Sequence, residues 1–376
     1  MKASGPAAVL SGIWLFLIFG IFTMDFFTRV KNPFEWIFGR GSRFVFNGTL
    51  ARRLDQHLVQ TRSFVFTKTR PFLSLWIFKL TGQAQASIGI GREGWLFHEW
   101  TLQDKGAEGE TATRKGARNL LRTCDLLKRS GIEVLMVVVP NKVRIYPEFL
   151  YPSGRLPVSR EPAYARWIAD LRAHGVRCVD LESVFRRARV DEKLPDLLYF
   201  TGDHHWTDTG CMLACETVAR EIRQMRKEWC DREPGRVKLR TSSRDPGEES
   251  LYRLLGFPPG ALKDVFVRES WFVDVEPDSL FSNSDRQNSP IILNGDSYAA
   301  LRLRMASYLE YQLQSPVRDI SVAGGKMDVG LRKWLEGNAL ADKKPRILIW
   351  ECWEATILQN PLDQLSTLNA EYGGLR

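Results

Sequence analysis

Residues 290–298 read Pro-Ile-Ile-Leu-Asn-Gly-Asp-Ser-Tyr, and this stretch decides the fold prediction. Its apolar residues predict a short buried strand, and a helix-like pattern follows over residues 299–314. Ser297 is therefore expected on a sharp turn between strand and helix, where a hydroxyl group can project from the strand end. A second stretch, residues 203–206, reads Asp-His-His-Trp and places a carboxylate two positions before an imidazole.

These two stretches contain the parts of a nucleophilic triad. A serine hydroxyl needs a base that takes its proton, and the base needs a carboxylate that fixes its tautomer. Asp203, His205 and Ser297 supply these groups in that chain order. Two ordinary alternatives stay open: Asp203 could cap a turn while His204 and His205 are loop residues, or the three could hold a metal ion. We predict no metal site, because adjacent ligands in one loop supply no second ligand cluster.

The remaining histidines have ordinary interpretations. His174 lies near the end of a predicted helix, where a cation is favourable. His98 follows a predicted hairpin and His57 lies in a basic region, and neither has an acidic partner at short range in the sequence. His98 and His57 are predicted to be surface residues.

Alternating apolar runs and helical patterns predict an α/β fold, with a parallel sheet covered by helices on both faces. The predicted strands are 134–139, 176–180, 291–293, 319–322 and 346–350, a hairpin spans 88–97, and the predicted helices are 117–130, 164–174, 207–226, 299–314 and 329–336. Ligands bind beyond the carboxyl ends of such strands. Asn141, Ser297, Gly324 and Glu351 each follow a predicted strand and are expected on that edge of the sheet.

The first 30 residues predict an N-terminal transmembrane helix that acts as a signal-anchor. No charged residue occurs between Ala3 and Met24, a length that matches the ~20 apolar residues needed to cross a bilayer. A cleaved signal peptide is the alternative, although no small-residue cleavage site follows the apolar run. Residues Arg29, Lys31 and Arg40 lie beyond it, so the flanking charges alone slightly favour a cytoplasmic body.

The rest of the chain divides into two predicted parts. Residues 31–85 are rich in aromatic and basic side chains, which is typical of a membrane-proximal collar or of two amphipathic helices packed on the body. Residues 86–376 form the predicted α/β domain. Within it, residues at about 227–285 are polar and contain Pro and Gly, and they are interpreted as an insertion over one face.

Composition limits the partners. The chain has 376 residues, 44% hydrophobic and 26% charged, which excludes a disordered protein. Its net charge of +9 favours phospholipid headgroups or an acidic polysaccharide, and nucleic acid is not expected because no nucleic-acid-binding motif accompanies the charge. Six scattered cysteines form no C-x-x-C pair; Cys211 and Cys215, four apart on a helix, are either metal ligands or small buried residues.

Several motifs occur in an order that resembles one known family. They are residues 90–97 (Ile-Gly-Arg-Glu-Gly-Trp-Leu-Phe), 139–142 (Val-Pro-Asn-Lys), 146–148 (Tyr-Pro-Glu), 203–206 (Asp-His-His-Trp), 295–298 (Gly-Asp-Ser-Tyr), 324–325 (Gly-Gly) and 349–351 (Ile-Trp-Glu). Over about residues 88–354, the chain resembles the SGNH-hydrolase-like proteins of alginate O-acetylation, the AlgJ/AlgX group. The acid–histidine motif precedes the Gly-Asp-Ser motif in that group, as it does here.

The resemblance implies an O-acetyltransferase anchored in a bacterial inner membrane by a single pass, with its catalytic domain in the periplasm. Its acceptor would be an exported polysaccharide, and a separate membrane-bound O-acyltransferase would deliver the acetyl groups. Ser297 would be the nucleophile that forms an acetyl-serine intermediate, and Asp203 would orient the base. His205 is chosen as that base over His204 because it keeps the Asp-x-His-Trp spacing.

Other residues are grouped around this predicted triad. The backbone N–H of Ser297 and one N–H of Gly324 or Gly325 are candidate donors to an oxyanion. Three further side chains complete the set of candidate oxyanion- or substrate-binding residues, namely Asn141, Lys142 and Tyr298. No glycine-rich nucleotide-binding loop is evident, so no cofactor is expected.

Two other functions remain compatible with the sequence. The same triad would make an esterase if water reached the acyl-enzyme, and a polysaccharide-binding subunit could retain an inactive triad. The collar and the insertion at about 227–285 carry none of the resembling motifs, so the sequence does not predict which polysaccharide is bound.

Overall fold

The computed structural model describes residues 71–72, 74–76, 78–79, 88–102, 106–191, 197–244, 250–258, 270–276, 280–300, 304–324, 327–337, 346–359 and 362–372. The predicted transmembrane helix lies outside these residues, as does most of the predicted collar. Among the residues described, no helix is both long and apolar enough to cross a membrane.

A central sheet of five parallel strands organises the main part of the chain. In chain order, the strands of all sheets in the described residues are β1 (Ile88–Ile90), β2 (Leu96–His98), β3 (Ile132–Val139), β4 (Arg177–Val179), β5 (Leu239–Arg244), β6 (Ser270–Val275), β7 (Ile291–Asn294), β8 (Arg318–Asp319) and β9 (Arg346–Trp353). The central sheet has the order β4-β3-β9-β7-β8, and every neighbouring pair in it is parallel. The last strand in the chain thus lies in the middle of the sheet.

Helices cover both faces of this sheet, as predicted. In chain order, the helices of the described residues are α1 (Gly106–Arg129), α2 (Lys142–Ile145), α3 (Ala163–Ala173), α4 (Leu181–Ala188), α5 (Asp208–Arg226), α6 (Ser250–Leu254), α7 (Asn283–Gln287), α8 (Met305–Leu313), α9 (Val329–Glu336), α10 (Glu354–Gln359) and α11 (Asp363–Tyr372). Successive side chains of a strand point to opposite faces. Val137 therefore packs in one core with α4, α5 and α8, whereas its neighbours Met136 and Val138 pack in a second core with α1, α3, α9 and α11.

The structure corrects three predicted boundaries near Ser297. The predicted helix 299–314 begins only at Met305, after a turn over residues 295–300, and Arg304 before it has a left-handed φ of 56°. The strand predicted at 319–322 is the two-residue β8, although Val322 N–H still donates to Gly295 O at 3.2 Å. Strand β9 continues to Trp353, because its pairing with β3 extends to that residue.

The remaining predicted elements are present with small differences. The hairpin β1–β2 is antiparallel, and the predicted loop after β3 contains α2 and a 3-10 turn at Pro147–Phe149. In the region interpreted as an insertion, β5 and β6 form a separate antiparallel sheet that shares no strand with the central one. All six cysteines are buried and free, and Cys211 and Cys215 belong to the α5 face of the core, as small buried residues would.

Candidate active site

The nucleophile turn, residues 295–300, follows the carboxyl end of β7. Within residues 291–300, Ser297 is the one residue that is not fully buried. The turn passes close to β9, since a Cβ added at Gly295 would lie 2.4 Å from Glu351 Oε2 and 2.6 Å from Ala299 Cβ. Only glycine fits this position, and the close contact fixes where the backbone presents the Ser297 hydroxyl.

The base loop, residues 198–207, brings the acid and the imidazoles to the same edge of the sheet. Thr207 N–H donates to Leu198 O at 3.0 Å, and Tyr199 and Trp206 form an antiparallel bridge. These contacts close the loop, so its tip holds Asp203 and the two histidines. At the end of the loop, the Thr207 side chain accepts from Gly210 N–H and caps α5.

The two segments meet in the geometry of a catalytic triad. His205 Nε2 lies 2.8 Å from Ser297 Oγ, and His205 Nδ1 lies 2.8 Å from Asp203 Oδ1. The same Asp203 oxygen accepts His205 N–H at 3.1 Å. With Nδ1 facing the carboxylate, the neutral imidazole carries its proton on Nδ1 and offers Nε2 as the acceptor for the serine proton.

The environment of Asp203 keeps this carboxylate charged. Its side chain is buried, and burial alone would raise its pKa. The facing imidazoles of His204 and His205 outweigh burial and hold the pKa of Asp203 well below its usual range. An ionised Asp203 can therefore orient His205 and stabilise it when it takes up a proton.

His204 lies beside the triad and could join Asp203 and His205 in holding a metal ion, since their ligand atoms lie within 4.8 Å of one another. Its Nδ1 is 3.2 Å from Asp203 Oδ1, and its ring is 3.9 Å from that of His205. Burial lowers the pKa of His204, so its imidazole is neutral. A metal bound through Nδ1 of His205 would displace the contact with Asp203, so the geometry fits a triad better than a metal site.

Lys142 does not take the substrate-binding place that the sequence predicts. Its side chain is buried, and Nζ donates to three backbone carbonyl oxygens, those of Leu96, Thr201 and Asp203, at 2.7, 2.6 and 3.0 Å. These acceptors belong to the β1–β2 hairpin and to the base loop. The ammonium group therefore connects the two segments and supports the backbone of Asp203, with no position left for a substrate group.

Tyr298 was also predicted to contact the oxyanion or the substrate, and the structure places it elsewhere. Its side chain is fully buried, and its hydroxyl donates to His204 O at 2.6 Å. Its ring lies 4.7 Å from that of His205 and packs at a right angle against Trp206. Tyr298 thus joins the nucleophile turn to the base loop, and its ring packs against the imidazole of His205.

Asn141 lies at the carboxyl end of β3, as predicted, and it is held by a buried ion pair. Its N–H donates to Glu354 Oε2 at 2.6 Å, and Arg144 donates to both oxygens of the same carboxylate. The side-chain Oδ1 of Asn141 is buried and has no hydrogen-bond partner in the described part of the chain. The backbone of Asn141 is therefore fixed, while its amide retains hydrogen-bonding capacity.

The candidate glycine loop is described only in part. Gly324 is exposed and has a left-handed φ of 70°, with open space where a side chain would begin. Gly325 lies outside the described residues. The bond from Val322 N–H to Gly295 O brings the segment before this loop alongside the nucleophile turn.

A wall of rings beside the triad includes a histidine that the sequence assigned to the surface. His98 is half-buried, and its ring lies 5.4 Å from that of His204 and 5.9 Å from that of Trp353. Trp100, which is 58% exposed, lies 5.1 Å from His98 on the outer side. Sequence spacing could not reveal this wall, because the hairpin, the base loop and β9 are far apart in the chain.

His98 has a fixed protonation state in this wall. Burial, together with the neighbouring His204, lowers the pKa of His98 to about 4. Its Nδ1 accepts Trp100 N–H at 3.2 Å. The neutral ring therefore carries its proton on Nε2 and can donate a hydrogen bond from that atom.

Comparisons with known proteins identify the family of this chain. The family described as an SGNH hydrolase-like domain, acetyltransferase AlgX, matches residues 88–354. The chain is 25% identical over 325 residues to the probable alginate O-acetylase AlgJ of Pseudomonas fluorescens, which covers 82% of this chain and 77% of that protein. It is 27% identical over 288 residues to the alginate biosynthesis protein AlgX of Pseudomonas aeruginosa, covering 73% of this chain and about half, 53%, of that protein.

A solved structure supports the fold independently. The O-acetyltransferase domain of Pseudomonas putida AlgJ matches with a TM-score of 0.60 at 20% identity, covering 76% of this chain and 99% of that domain. The likeness confirms the predicted α/β fold with a mostly parallel sheet. Together with the match to the family, it confirms the predicted resemblance: the chain belongs to the SGNH hydrolase-like acetyltransferase family of AlgX and AlgJ, and it is an O-acetyltransferase.

Proposed function

We propose that this O-acetyltransferase transfers acetyl groups to an exported polysaccharide through an acetyl-serine intermediate on Ser297. The observation that carries the proposal is the continuous contact from Asp203 Oδ1 through His205 to Ser297 Oγ, with both distances at 2.8 Å. The curated relatives are named for alginate, and a polysaccharide acceptor is the corresponding substrate class for this chain.

The chemistry would follow in two steps. Ser297 Oγ attacks the acetyl carbonyl while His205 Nε2 takes the hydroxyl proton, and the leaving group departs with that proton. A sugar hydroxyl then attacks the acetyl-serine, giving its proton to Nε2, and the proton returns to Ser297 as the ester bond to the enzyme breaks. Asp203 stays ionised throughout and stabilises the imidazolium.

The developing oxyanion needs donors that are already in place. In the described part of the nucleophile turn, Asp296, Tyr298 and Ala300 N–H donate to protein acceptors, whereas Ser297 N–H donates to none. That N–H is therefore a proposed oxyanion donor, and one such donor contributes about 3 kcal/mol. Asn141 and the loop at Gly324 and Gly325 are the candidates for a second donor.

The wall of rings suggests where the acceptor would lie. Trp100 offers an exposed ring that can pack against the apolar face of a sugar, and His98 Nε2 can donate to a hydroxyl. The ring of His98 lies 5.4 Å from that of His204, which in turn lies 3.9 Å from that of His205, so an acceptor held by these side chains would lie close to the triad. The net charge of +9 is compatible with an acidic polysaccharide.

We also propose the cellular arrangement that the sequence predicts, a single-pass anchor in the bacterial inner membrane with the catalytic domain in the periplasm. The uncharged segment from Ala3 to Met24 supports the anchor, and an exported acceptor requires a periplasmic site. A membrane-bound O-acyltransferase is the proposed source of acetyl groups, so no bound cofactor is required.

An acetyl-ester assay of the purified 376-residue chain tests the reaction. An acetyl ester of a chromogenic phenol is supplied with and without an acidic oligosaccharide, and acetylated oligosaccharide is measured by mass spectrometry. We expect transfer to the sugar at the expense of free acetate. Release of acetate alone, whatever the acceptor concentration, would favour an esterase.

Reporter fusions test the topology. Alkaline phosphatase fused after Arg376 is expected to be active, and a fluorescent protein that folds only in the cytoplasm is expected to be dark. The opposite pattern would remove exported polysaccharide as the acceptor, because the catalytic domain would then face the cytoplasm.

A further inference from the structure

Two carboxyl groups lie buried behind the nucleophile turn, and the acetyl-transfer steps use neither of them. Glu351 is fully buried in β9, the central strand of the sheet. Asp296, also buried, directly precedes Ser297 in the turn. The two side chains are in hydrogen-bonding contact. Because ionised carboxylates are acceptors only, this contact requires a proton on one of them.

The pair holds the backbone of the turn on both sides of Ser297. Glu351 Oε2 accepts Asp296 N–H at 3.0 Å, and the Glu351 carboxyl group also accepts Ala299 N–H. Asp296 Oδ1 accepts Tyr298 N–H at 2.9 Å. The backbone of Asp296 and Ala299 is therefore held to β9 by Glu351, and the backbone of Tyr298 is held by the side chain of Asp296.

The pair also contacts the backbone at the end of β9. The Asp296 carboxylate accepts Trp353 N–H, so it connects the turn to the strand end beside the wall of rings. On Glu351, Oε2 is occupied by the turn, whereas Oε1 is buried without a donor in the described part of the chain. Oε1 is thus the oxygen of Glu351 that remains available to carry a proton.

Electrostatics agree on which group holds the proton. Burial raises the pKa of Glu351 well above its usual range, and the charge of Asp296 raises it further. Burial also raises the pKa of Asp296, but N–H groups of Tyr298 and Trp353 and the contact with Glu351 act against burial. Two buried carboxylates in contact cannot both ionise without a large cost.

We propose that Glu351 carries a proton at neutral pH, donates it in a hydrogen bond to Asp296, and thereby fixes the turn that presents Ser297 to His205. Both acids are positioning residues, since neither touches the reacting atoms. The proposal rests on Ser297 as the proposed nucleophile only for its kinetic test. Its stability test is independent of the reaction.

The titratable neighbours of the pair stay uncharged at neutral pH. They are His204 from the base loop, Tyr199 at the start of that loop, Tyr298 from the turn, Cys211 from α5 and Cys352 from β9 itself. Burial raises the pKa of the tyrosines and cysteines well above their usual range and lowers that of His204. A change in charge near neutral or alkaline pH is therefore expected at the Glu351–Asp296 pair.

Two substitutions at one position form the test. Glu351→Gln keeps an acceptor for the turn and replaces the O–H donor by an N–H donor, whereas Glu351→Leu keeps neither. The rate at which a serine-reactive sulfonyl fluoride labels Ser297 is measured for the purified full chain. We expect Glu351→Gln within about 3-fold of the parent rate and Glu351→Leu about 100-fold slower, since buried N–H and carboxylate groups lose their partners.

Asp296→Asn gives an intermediate control. Its amide retains only one oxygen, so the N–H groups of Tyr298 and Trp353 compete for a single acceptor. We expect labelling slower than for Glu351→Gln and faster than for Glu351→Leu. An Asp296→Asn protein that labels faster than Glu351→Gln would place the proton on Asp296 and overturn the assignment.

Thermal unfolding across pH provides the second readout. A carboxyl group whose pKa is raised in the fold stabilises it at low pH, and this stabilisation is lost as the pH rises from the ordinary value toward the folded one. Glu351→Gln lacks that loss, so its Tm relative to the parent should rise steadily between pH 5 and pH 9. A constant difference, or Gln labelling as slowly as Leu, would refute the shared proton. Failure to acetylate a polysaccharide would leave both readouts valid.

Discussion

The base loop and the nucleophile turn meet at one site, yet the buried carboxyl group that supports each of them has its pKa shifted in the opposite direction. Asp203 and Glu351 are both buried, but the pKa of Asp203 is held well below its usual range and that of Glu351 well above it. Asp203 faces imidazole donors, whereas Glu351 faces the carboxyl group of Asp296. Burial alone therefore does not determine the charge of an acid, because the neighbouring groups either oppose its effect, as at Asp203, or reinforce it, as at Glu351.

The two segments also differ in what holds them in place. The backbone of the base loop accepts hydrogen bonds from a buried cation, Lys142. The backbone of the nucleophile turn instead donates its N–H groups to the acidic pair Asp296 and Glu351. The base loop, which holds the charged carboxylate of Asp203, is thus supported by the ammonium group of Lys142. The nucleophile turn is supported by the carboxyl groups of Asp296 and Glu351, which accept N–H groups on either side of Ser297.

The largest expected effect concerns the nucleophile turn itself. Ser297→Ala should reduce acetyl-ester turnover at least ~10⁴-fold, because the hydroxyl that forms the intermediate is removed. The fold should be unchanged, since the substitution is small and Ser297 is the half-buried residue of an otherwise buried turn. Steady-state kinetics and circular dichroism of the purified variant check both expectations; wild-type turnover would show that Ser297 is not the nucleophile.

In the base loop, adjacent histidines allow a matched comparison. His205→Ala should lower kcat by about 10³-fold or more, since only His205 contacts both Ser297 and Asp203. His204→Ala should cost less than about 10-fold, because His204 lies beside the triad rather than in it. The same ester assay measures both variants. Equal losses, or a larger loss for His204→Ala, would exchange their roles.

Removing the cation under the base loop should act first on stability. Lys142→Met removes a buried ammonium donor from three carbonyl oxygens and should lower the free energy of unfolding by about 3 kcal/mol. Lys115→Met is the control, because the Lys115–Asp363 pair is about half exposed and should contribute less than about 1 kcal/mol. Urea denaturation measures both. Equal stabilities would mean that Lys142 does not support the loop.

Low pH should destabilise the base loop through the protonation of Asp203. Its lowered pKa stabilises the fold above the ordinary aspartate pKa, and this contribution is lost as the pH falls through the folded pKa. Asp203→Asn should therefore show a shallower loss of Tm below about pH 4 than the parent protein does. A parallel decline in both proteins would indicate that Asp203 is not ionised in the fold.

The smallest expected effect lies at the outer end of the wall of rings. Trp100→Ala should raise the KM for an oligosaccharide acceptor about 5-fold to 10-fold, the loss of about 1 kcal/mol from one ring contact, with a smaller change in kcat. Trp100→Phe should restore part of the affinity. An unchanged KM would move the acceptor away from Trp100, while leaving the comparison between the two segments intact.

The sequence alone predicted much of the site. An apolar run before Gly-Asp-Ser predicts a buried strand and a serine at its end, and the Asp-x-His spacing predicts which carboxylate faces which imidazole. Both inferences need only local geometry, so they required no knowledge of the rest of the fold. The order of the motifs also indicated the family, and the comparisons confirm it.

Several residues were misjudged because their roles depend on distant segments. Lys142 was grouped with substrate-binding residues, but its ammonium is used by the hairpin and the base loop. His98 was assigned to the surface, although the hairpin carries it to the triad. The sequence could have indicated that Glu351 has a buried partner. Residues 346–353 read Arg-Ile-Leu-Ile-Trp-Glu-Cys-Trp, and an acid inside an apolar strand requires such a partner.

The sequence by itself thus determined the strand–turn that presents Ser297, the pairing of Asp203 with His205, and the parallel sheet with helices on both faces. Only the tertiary structure decided that the last strand, β9, lies between β3 and β7 and brings Glu351 against Asp296. Local patterns are set by backbone geometry over a few residues, whereas the charge of an acid depends on how deeply the fold buries it and on which groups the fold places next to it.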